Sequence, residues 1–247
     1  MYHPFSILET LKISWHIFKG NFAVIIIFSI ISFVVLGIIG TVIGFIYSPE
    51  DFLGSMILFF IEAVIQAYTT LGLYKLLFTV IDSELYEFEF KQVLPGFRML
   101  YSYVAVVFMI AFVVADIGFL LGRLNAYPNL QGVLTDIMVV VALYFTLRIM
   151  FFITFIVDDK SGPIESIVQS FKLTKGYFLK LLGIFVISIL LVAIPVYVSK
   201  FFPVISILVL ILIVIVAFPF ISIILVTTYR KLVYSHQDVD DDVSETI

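Results

Sequence analysis

The chain has 247 residues, 62% of them hydrophobic and only 13% charged, with a mean hydropathy of +1.20 and a net charge of −4. That balance excludes an ordinary soluble domain and predicts an integral membrane protein. Cysteine is absent, which excludes a disulfide framework, thiolate metal ligands and a cysteine nucleophile.

The first element, residues 7–22, reads ILETLKISWHIFKGNF. Leu8, Leu11, Trp15 and Phe22 step along one face at helical spacing, with Glu9, Lys12, His16 and Lys19 opposite. Ser6 followed by Glu9 is a capping-box pattern, and Gly20 supplies a turn before the apolar run. No cleavable leader is expected, because no small-residue cleavage site follows a short apolar core.

Six spans follow in order, at residues 21–46, 52–81, 101–122, 133–157, 177–199 and 203–229. At about 1.5 Å per residue each is long enough to cross about 30 Å of hydrocarbon. Very short turns, 47–51 and 200–202, make helical hairpins of spans one and two and of spans five and six. Gly40 and Gly44 in span one, and Gly118 and Gly122 in span three, have the spacing that permits close approach of helices. Pro195 and Pro219 predict kinks in spans five and six.

The opening element returns. Residues 163–178, PIESIVQSFKLTKGYF, superimpose on 7–22 at a constant offset of 156. Glu9 falls on Glu165, Leu11 on Ile167, Ser14 on Ser170, Trp15 on Phe171, Lys19 on Lys175 and Gly20 on Gly176. Pro163 suits the first position of the second helix. Ser14 and Ser170 are candidates for close helix contact, ordinary solvent or backbone bonding being the alternative. A weaker middle copy places Phe90, Val93, Phe97 and Val104 on Leu8, Leu11, Trp15 and Phe22, with Pro95-Gly96 breaking its helix. The fold class is therefore all-α: a polytopic membrane protein of six transmembrane helices, in three parallel hairpins with amphipathic interfacial lead helices. One membrane domain, 1–234, contains repeat units 7–81, 90–157 and 163–230, and 235–247 is an acidic disordered tail.

Of the 14 Lys and Arg, all but Arg123 and Lys200 fall on the side that carries both termini, which predicts cytoplasmic ends. Tyr47, Tyr127 and Tyr197 near the outer ends, and Trp15, Tyr101, Tyr103, Tyr177 and Tyr229 near the inner ends, suit interfacial anchoring.

The segment Glu9…Ser14-Trp15…Phe18-Lys19-Gly20-Asn21-Phe22 resembles a family of six-span bacterial membrane proteins, as does Phe155-Ile156-Val157-Asp158-Asp159…Gly162-Pro163-Ile164-Glu165-Ser166…Ser170-Phe171…Lys175-Gly176. The family is the glycerophosphoryl-diester-phosphodiesterase membrane-domain group with its stand-alone relatives, and the specific part of the likeness is 155–176. Some members join this region to a soluble phosphodiesterase barrel. No stretch here is long enough to be that barrel, so its activity is not carried over and the resemblance implies a six-span helical membrane domain of the bacterial cell membrane.

Chemistry-bearing residues are few. His3, His16 and His236 have no metal-ligand spacing, and no phosphate loop, nucleophile elbow or dinucleotide fingerprint occurs. Asp238, Asp240 and Asp242 begin like a calcium loop, but Val243 stands where that loop needs glycine. No cofactor, metal or nucleic acid is expected. Membrane lipids and other membrane proteins are the expected partners.

Two groups of residues carry the functional expectation. Lys12, Lys19, Lys172, Lys175 and Lys180 are candidate contacts for anionic lipid headgroups, each adding about 1 kcal/mol near an anionic leaflet, or they only fix topology. Glu62, Gln66, Asp116 and Arg148 form a candidate intramembrane polar centre. By helical rise Glu62 lies about 15 Å from the outer end of its span and Arg148 about 14 Å from the inner end of its own, so the two could meet. Asp116 is the alternative partner of Arg148, and Lys75 can snorkel inward. The reading is a non-enzymatic membrane protein that organises, regulates or assembles with membrane components or lipids. The alternative is a transporter or permease component using the charged centre.

Overall fold

Long apolar runs bounded by Gly, Pro and charge fold as helices, because in hydrocarbon only a helix satisfies its own backbone within one segment. The computed structural model describes residues 6–46, 52–82, 93–124, 127–201 and 206–244, and no strand occurs among them. His3, Tyr47, Ser48, Phe90 and Lys91 lie outside the described residues, as do the side chains of His236, Asp238, Asp240 and Asp242.

The helices are α1 (Ile7–Gly20), α2 (Phe22–Ile46), α3 (Phe52–Ile81), α4 (Phe97–Gly122), α5 (Pro128–Ile149), α6 (Phe152–Asp158), α7 (Pro163–Leu173), α8 (Phe178–Ser199), α9 (Ser206–Leu212) and α10 (Phe218–Ser244). A π-helical turn, Ile213–Ala217, joins α9 to α10. Six stretches are long and apolar enough to cross a membrane: α2, α3, α4, α5 with α6, α8, and α9 with α10 as far as Ser235.

Two compact units result. The first comprises Met1–Gly96 and Leu179–Ile247, the second Phe97–Phe178. In the first, α1 packs along α10, α2 packs on α3 and on the π-helical turn, and α3 packs on α10. Its centre holds Leu76, Val80 and Val93 against Ile17, Val24 and Phe28. In the second, α7 packs on α4, α5 and α6. Phe151, Phe155, Ile156 and Leu173 are buried there.

A regularity runs through these contacts. The segment that opens each later copy of the sequence pattern lies against the C-terminal end of the span before it. Val93 packs on Leu76 and Val80 of α3, and Lys75 Nζ donates to the Leu94 carbonyl at 2.7 Å. α7 packs on α6, the end of the fourth span. α1 packs instead on α10, which ends the last of the described spans.

Several local expectations need correcting. Ser6 precedes α1, but its side chain makes no cap bond. Instead the Ser6 carbonyl accepts from Thr10 N and Thr10 Oγ1, while Glu9 pairs with Lys231 Nζ at 2.9 Å. In α7 the equivalent glutamate does reach back: Gly162 N–H donates to Glu165 Oε2 at 3.1 Å. Gly176 has φ +87°, where a side chain is strained, but Gly20 ends α1 in ordinary helical backbone. The turn after α1 is made by Asn21, whose N–H and Nδ2 both donate to the Ile17 carbonyl.

Pro95-Gly96 does break the middle copy: helix stops before Pro95 and α4 begins at Phe97. Pro195 lies inside α8. Beside Pro219 the chain takes a π-helical turn, with Phe218 N–H donating to the Ile213 carbonyl five residues back. A Cβ at Gly40, Gly44, Gly118 or Gly122 would meet nothing within 4 Å, so these glycines hold no helix close. The close approaches are elsewhere, at Gly72 against Phe28 and at Gly183 against Ile7. The acidic tail continues α10 as helix to Ser244, since extending an existing helix costs far less than starting one.

Candidate functional site

What the two lead helices bury is mainly neither their apolar stripe nor their charged face. In α1 the buried residues are Thr10, Ser14 and Phe18. In α7 they are Ser166, Ser170 and Leu173, with Thr174 just beyond. Thr10 matches Ser166, and Ser14 matches Ser170, in the repeat alignment. A stripe of small hydroxyl residues thus meets the neighbouring helices, as in membrane helix contacts where small side chains let backbones come close. Much of the apolar stripe stays outward: Leu8 is 70% exposed, Trp15 55% and Ile164 67%, while Leu11, Ile167 and Phe171 are half-buried. Lys12, His16 and Lys19 are exposed on the third side of α1, and Glu165, Lys172 and Lys175 on that of α7. At 100° per residue the charged set of α1 comes out roughly opposite its hydroxyl stripe, with the apolar stripe between them.

Each hydroxyl closes a backbone bond. Ser14 Oγ donates to the Thr10 carbonyl at 2.8 Å within α1. Ser170 reaches across to another helix. The fourth span breaks between α5 and α6, and Phe151 N–H donates to Ser170 Oγ at 3.2 Å, while Ser170 Oγ donates to the Arg148 carbonyl at 2.8 Å. Thr174 Oγ1 also reaches that carbonyl at 3.4 Å. No proline or glycine marks this break, so the sequence alone does not disclose it.

Arg148 belongs to the same place. Its guanidinium lies over the Phe171 ring, 5.1 Å from the centroid, and its Nε is buried without a hydrogen-bond partner among the described residues. It is stacked on α7 rather than held in an ion pair. Asp116, in the same unit, is exposed on α4 and makes no ion pair with Arg148. Glu62 and Gln66 are exposed on α3, one turn apart, in the first unit. The polar centre expected from the sequence is therefore spread over two units.

Of the five lysines, Lys12, Lys19, Lys172 and Lys175 are exposed and Lys180 is half-buried. Lys75 is held by the Leu94 carbonyl rather than directed only to solvent. Tyr229, expected as an interfacial anchor, is 1% exposed and meets Phe78 edge-on at 6.0 Å. It is core because the preceding helix α1 and α3 both close over that end of α10.

Two ion pairs escaped the sequence reading. Arg230 Nη2 lies 2.8 and 3.0 Å from the Asp82 carboxylate oxygens, with its guanidinium 4.9 Å from the Phe78 ring centroid. The neighbouring Lys231 holds Glu9. The adjacent basic pair, Arg230-Lys231, near the C-terminal end of the last span was the available signal. No group of three or more metal-ligating side chains occurs among the described residues.

Taken together, the described helices are those of a polytopic, all-helical chain with six membrane-length apolar segments. Protein-family models, curated proteins and solved structures offer no match to it.

Proposed function

We propose that this chain is a six-span protein of the cell membrane, with both termini cytoplasmic and its lead helices lying along the inner interface, and that it acts without catalysis by holding anionic lipids and assembling membrane components. The observation that supports this is the division of α1 and α7 into a buried hydroxyl stripe, an outward apolar stripe and an exposed lysine stripe. A helix so divided fits protein on one side, acyl chains on the second and headgroups with water on the third. The resemblance to the glycerophosphoryl-diester-phosphodiesterase membrane-domain group belongs to the same reading, through 155–176. Lys12, Lys19, Lys172 and Lys175 then contact anionic headgroups, each contributing about 1 kcal/mol.

Lipid analysis of the protein purified from its membrane tests this. Replacing those four lysines by glutamine is expected to lower the ratio of anionic to zwitterionic lipid retained. An unchanged ratio in a well-folded variant would reduce the lysines to topology signals.

A second reading, a transporter component, draws on Glu62 and Gln66, exposed one turn apart on the span helix α3. A carboxylate on a span needs water, a proton or a partner. Solute-specific flux into liposomes, abolished by Glu62→Gln with stability intact, would favour it.

A further inference from the structure

Within the first unit a cavity of about 70 Å³ lies among α2, α3 and the turn from α9 to α10. Phe28, Phe33, Leu36, Leu73, Val214 and Phe218 give it apolar walls, and no charged side chain lines it. Ser29, Ser32, Thr69 and Thr70 add four hydroxyls. Two of these are occupied: Ser29 donates to the Ile25 carbonyl and Thr69 to the Gln66 carbonyl. Ser32 and Thr70 make no hydrogen bond among the described residues, although Thr70 is only 7% exposed.

The third wall holds a carbonyl that has no donor within its own helix. In a regular helix the Val214 carbonyl would receive Phe218 N–H, but that donor goes to Ile213 in the π-helical turn. The next donor in π geometry is Pro219, which has no N–H. Val214 is thereby left without a helical donor at a position that lines the cavity. Such groups in an apolar setting are costly to leave unmade.

We propose that this groove binds the hydroxyl end of a neutral lipid, a diacylglycerol or a long-chain alcohol, which donates to the Val214 carbonyl and accepts from Thr70 or Ser32. The absence of charge in the lining disfavours a phosphate. The groove is only half enclosed, and Phe33, Val214 and Phe218 on its walls are exposed on span helices where acyl chains surround the protein. A water could meet the polar atoms but would face hydrocarbon on the open side. A hydroxyl carried on an alkyl chain satisfies both. This inference stands independently of the lysines, and its test contains no anionic lipid.

The full chain in phosphatidylcholine nanodiscs is photolabelled with a diacylglycerol bearing a diazirine in one acyl chain, and the adducts are mapped by peptide mass spectrometry. Adducts are expected on 28–36 and 69–73. Dioleoylglycerol should displace the probe about tenfold better than its 3-acetyl derivative, the loss of one hydrogen bond's discrimination. Thr70→Val should narrow that ratio by removing the hydroxyl's second partner, and Thr70→Ser should keep it. Should Thr70→Val fail to fold, Ser32→Ala with the Val214 acceptor intact carries the same comparison. Adducts spread evenly over all spans, equal displacement by the acetylated lipid, or a ratio unmoved by a folded variant would overturn the proposal, leaving water or unspecific chains in the groove.

Discussion

Phe151 and Ser170 are joined by a bond that repairs a broken helix. The Phe151 N–H donates to Ser170 Oγ at 3.2 Å, and the same oxygen donates onward to the Arg148 carbonyl. One hydroxyl thus satisfies a backbone donor and a backbone acceptor where α5 stops and α6 has yet to begin. Ser14, its counterpart, bonds only within its own helix. Ser170→Ala is expected to cost about 1–2 kcal/mol, because two buried backbone groups lose their partner. Ser14→Ala should cost under about 0.5 kcal/mol, since the Thr10 carbonyl keeps its place in the helix. Denaturation of the two variants in mixed micelles compares them, and equal losses would deny Ser170 its bridging role.

The matched glycines should also part company. Gly176→Ala forces a side chain into φ +87° and is expected to destabilise by about 1 kcal/mol. Gly20→Ala sits at a helix end with open space around its Cβ and should be neutral or slightly stabilising. Thermal unfolding in detergent reads both.

Trp15 is the chain's single tryptophan, so its fluorescence reports on α1 without any substitution. With α1 along the interface, lipids brominated near the headgroup should quench it more than lipids brominated near the chain ends. The reverse order would place the helix deeper than a monotopic position.

Arg230→Ala should cost more than Asp82→Ala. The aspartate removes only a partly exposed ion pair, worth about 0–1 kcal/mol after solvent screening. The arginine also loses its stacking on Phe78. A double-mutant cycle measured at low and high salt separates the two contributions; equal single losses would deny the ring its part.

Topology can be read by cysteine labelling in a chain that has no native cysteine. Asn129→Cys is expected to react from outside in intact cells, and Asp159→Cys only after permeabilisation. Ser161 is unsuitable, being buried with its hydroxyl bonded to Gln169 at 2.6 Å. Labelling of Asp159→Cys from outside would overturn the proposed orientation.

What could be read beforehand followed from solvent. Twenty or more apolar residues in a row identify a span whatever it packs against, so six were legible, as was the break at Pro95-Gly96. The faces of the lead helices were legible only in part: Ser14 and Ser170, expected as close helix contacts, are buried, but the burial of Thr10 and Ser166 beside them was not foreseen. In water an apolar stripe marks the core, whereas here Leu8 and Trp15 stay outward and Thr10 and Ser14 pack inward. Arg148 was placed by counting along an unbroken helix, but its span breaks within three residues, and Phe171, distant in sequence, supplies its surface. The open groove needed a π-helical turn beside Pro219, and a proline announces a disturbance without saying which carbonyl is freed.

The packing of α1 on α10 has a consequence for biosynthesis. The second unit is one continuous stretch, Phe97–Phe178, whereas the first is assembled from both ends of the described chain. During translation α1 emerges on the order of 200 residues before Lys231, a wait of roughly 10–40 s at ordinary elongation rates. Until then its hydroxyl stripe has no permanent neighbour. An interfacial resting place, where water can bond Thr10 and Ser14 and lipid can cover Trp15, would shelter the helix through that interval. The stripe that later docks is one that can wait without aggregating.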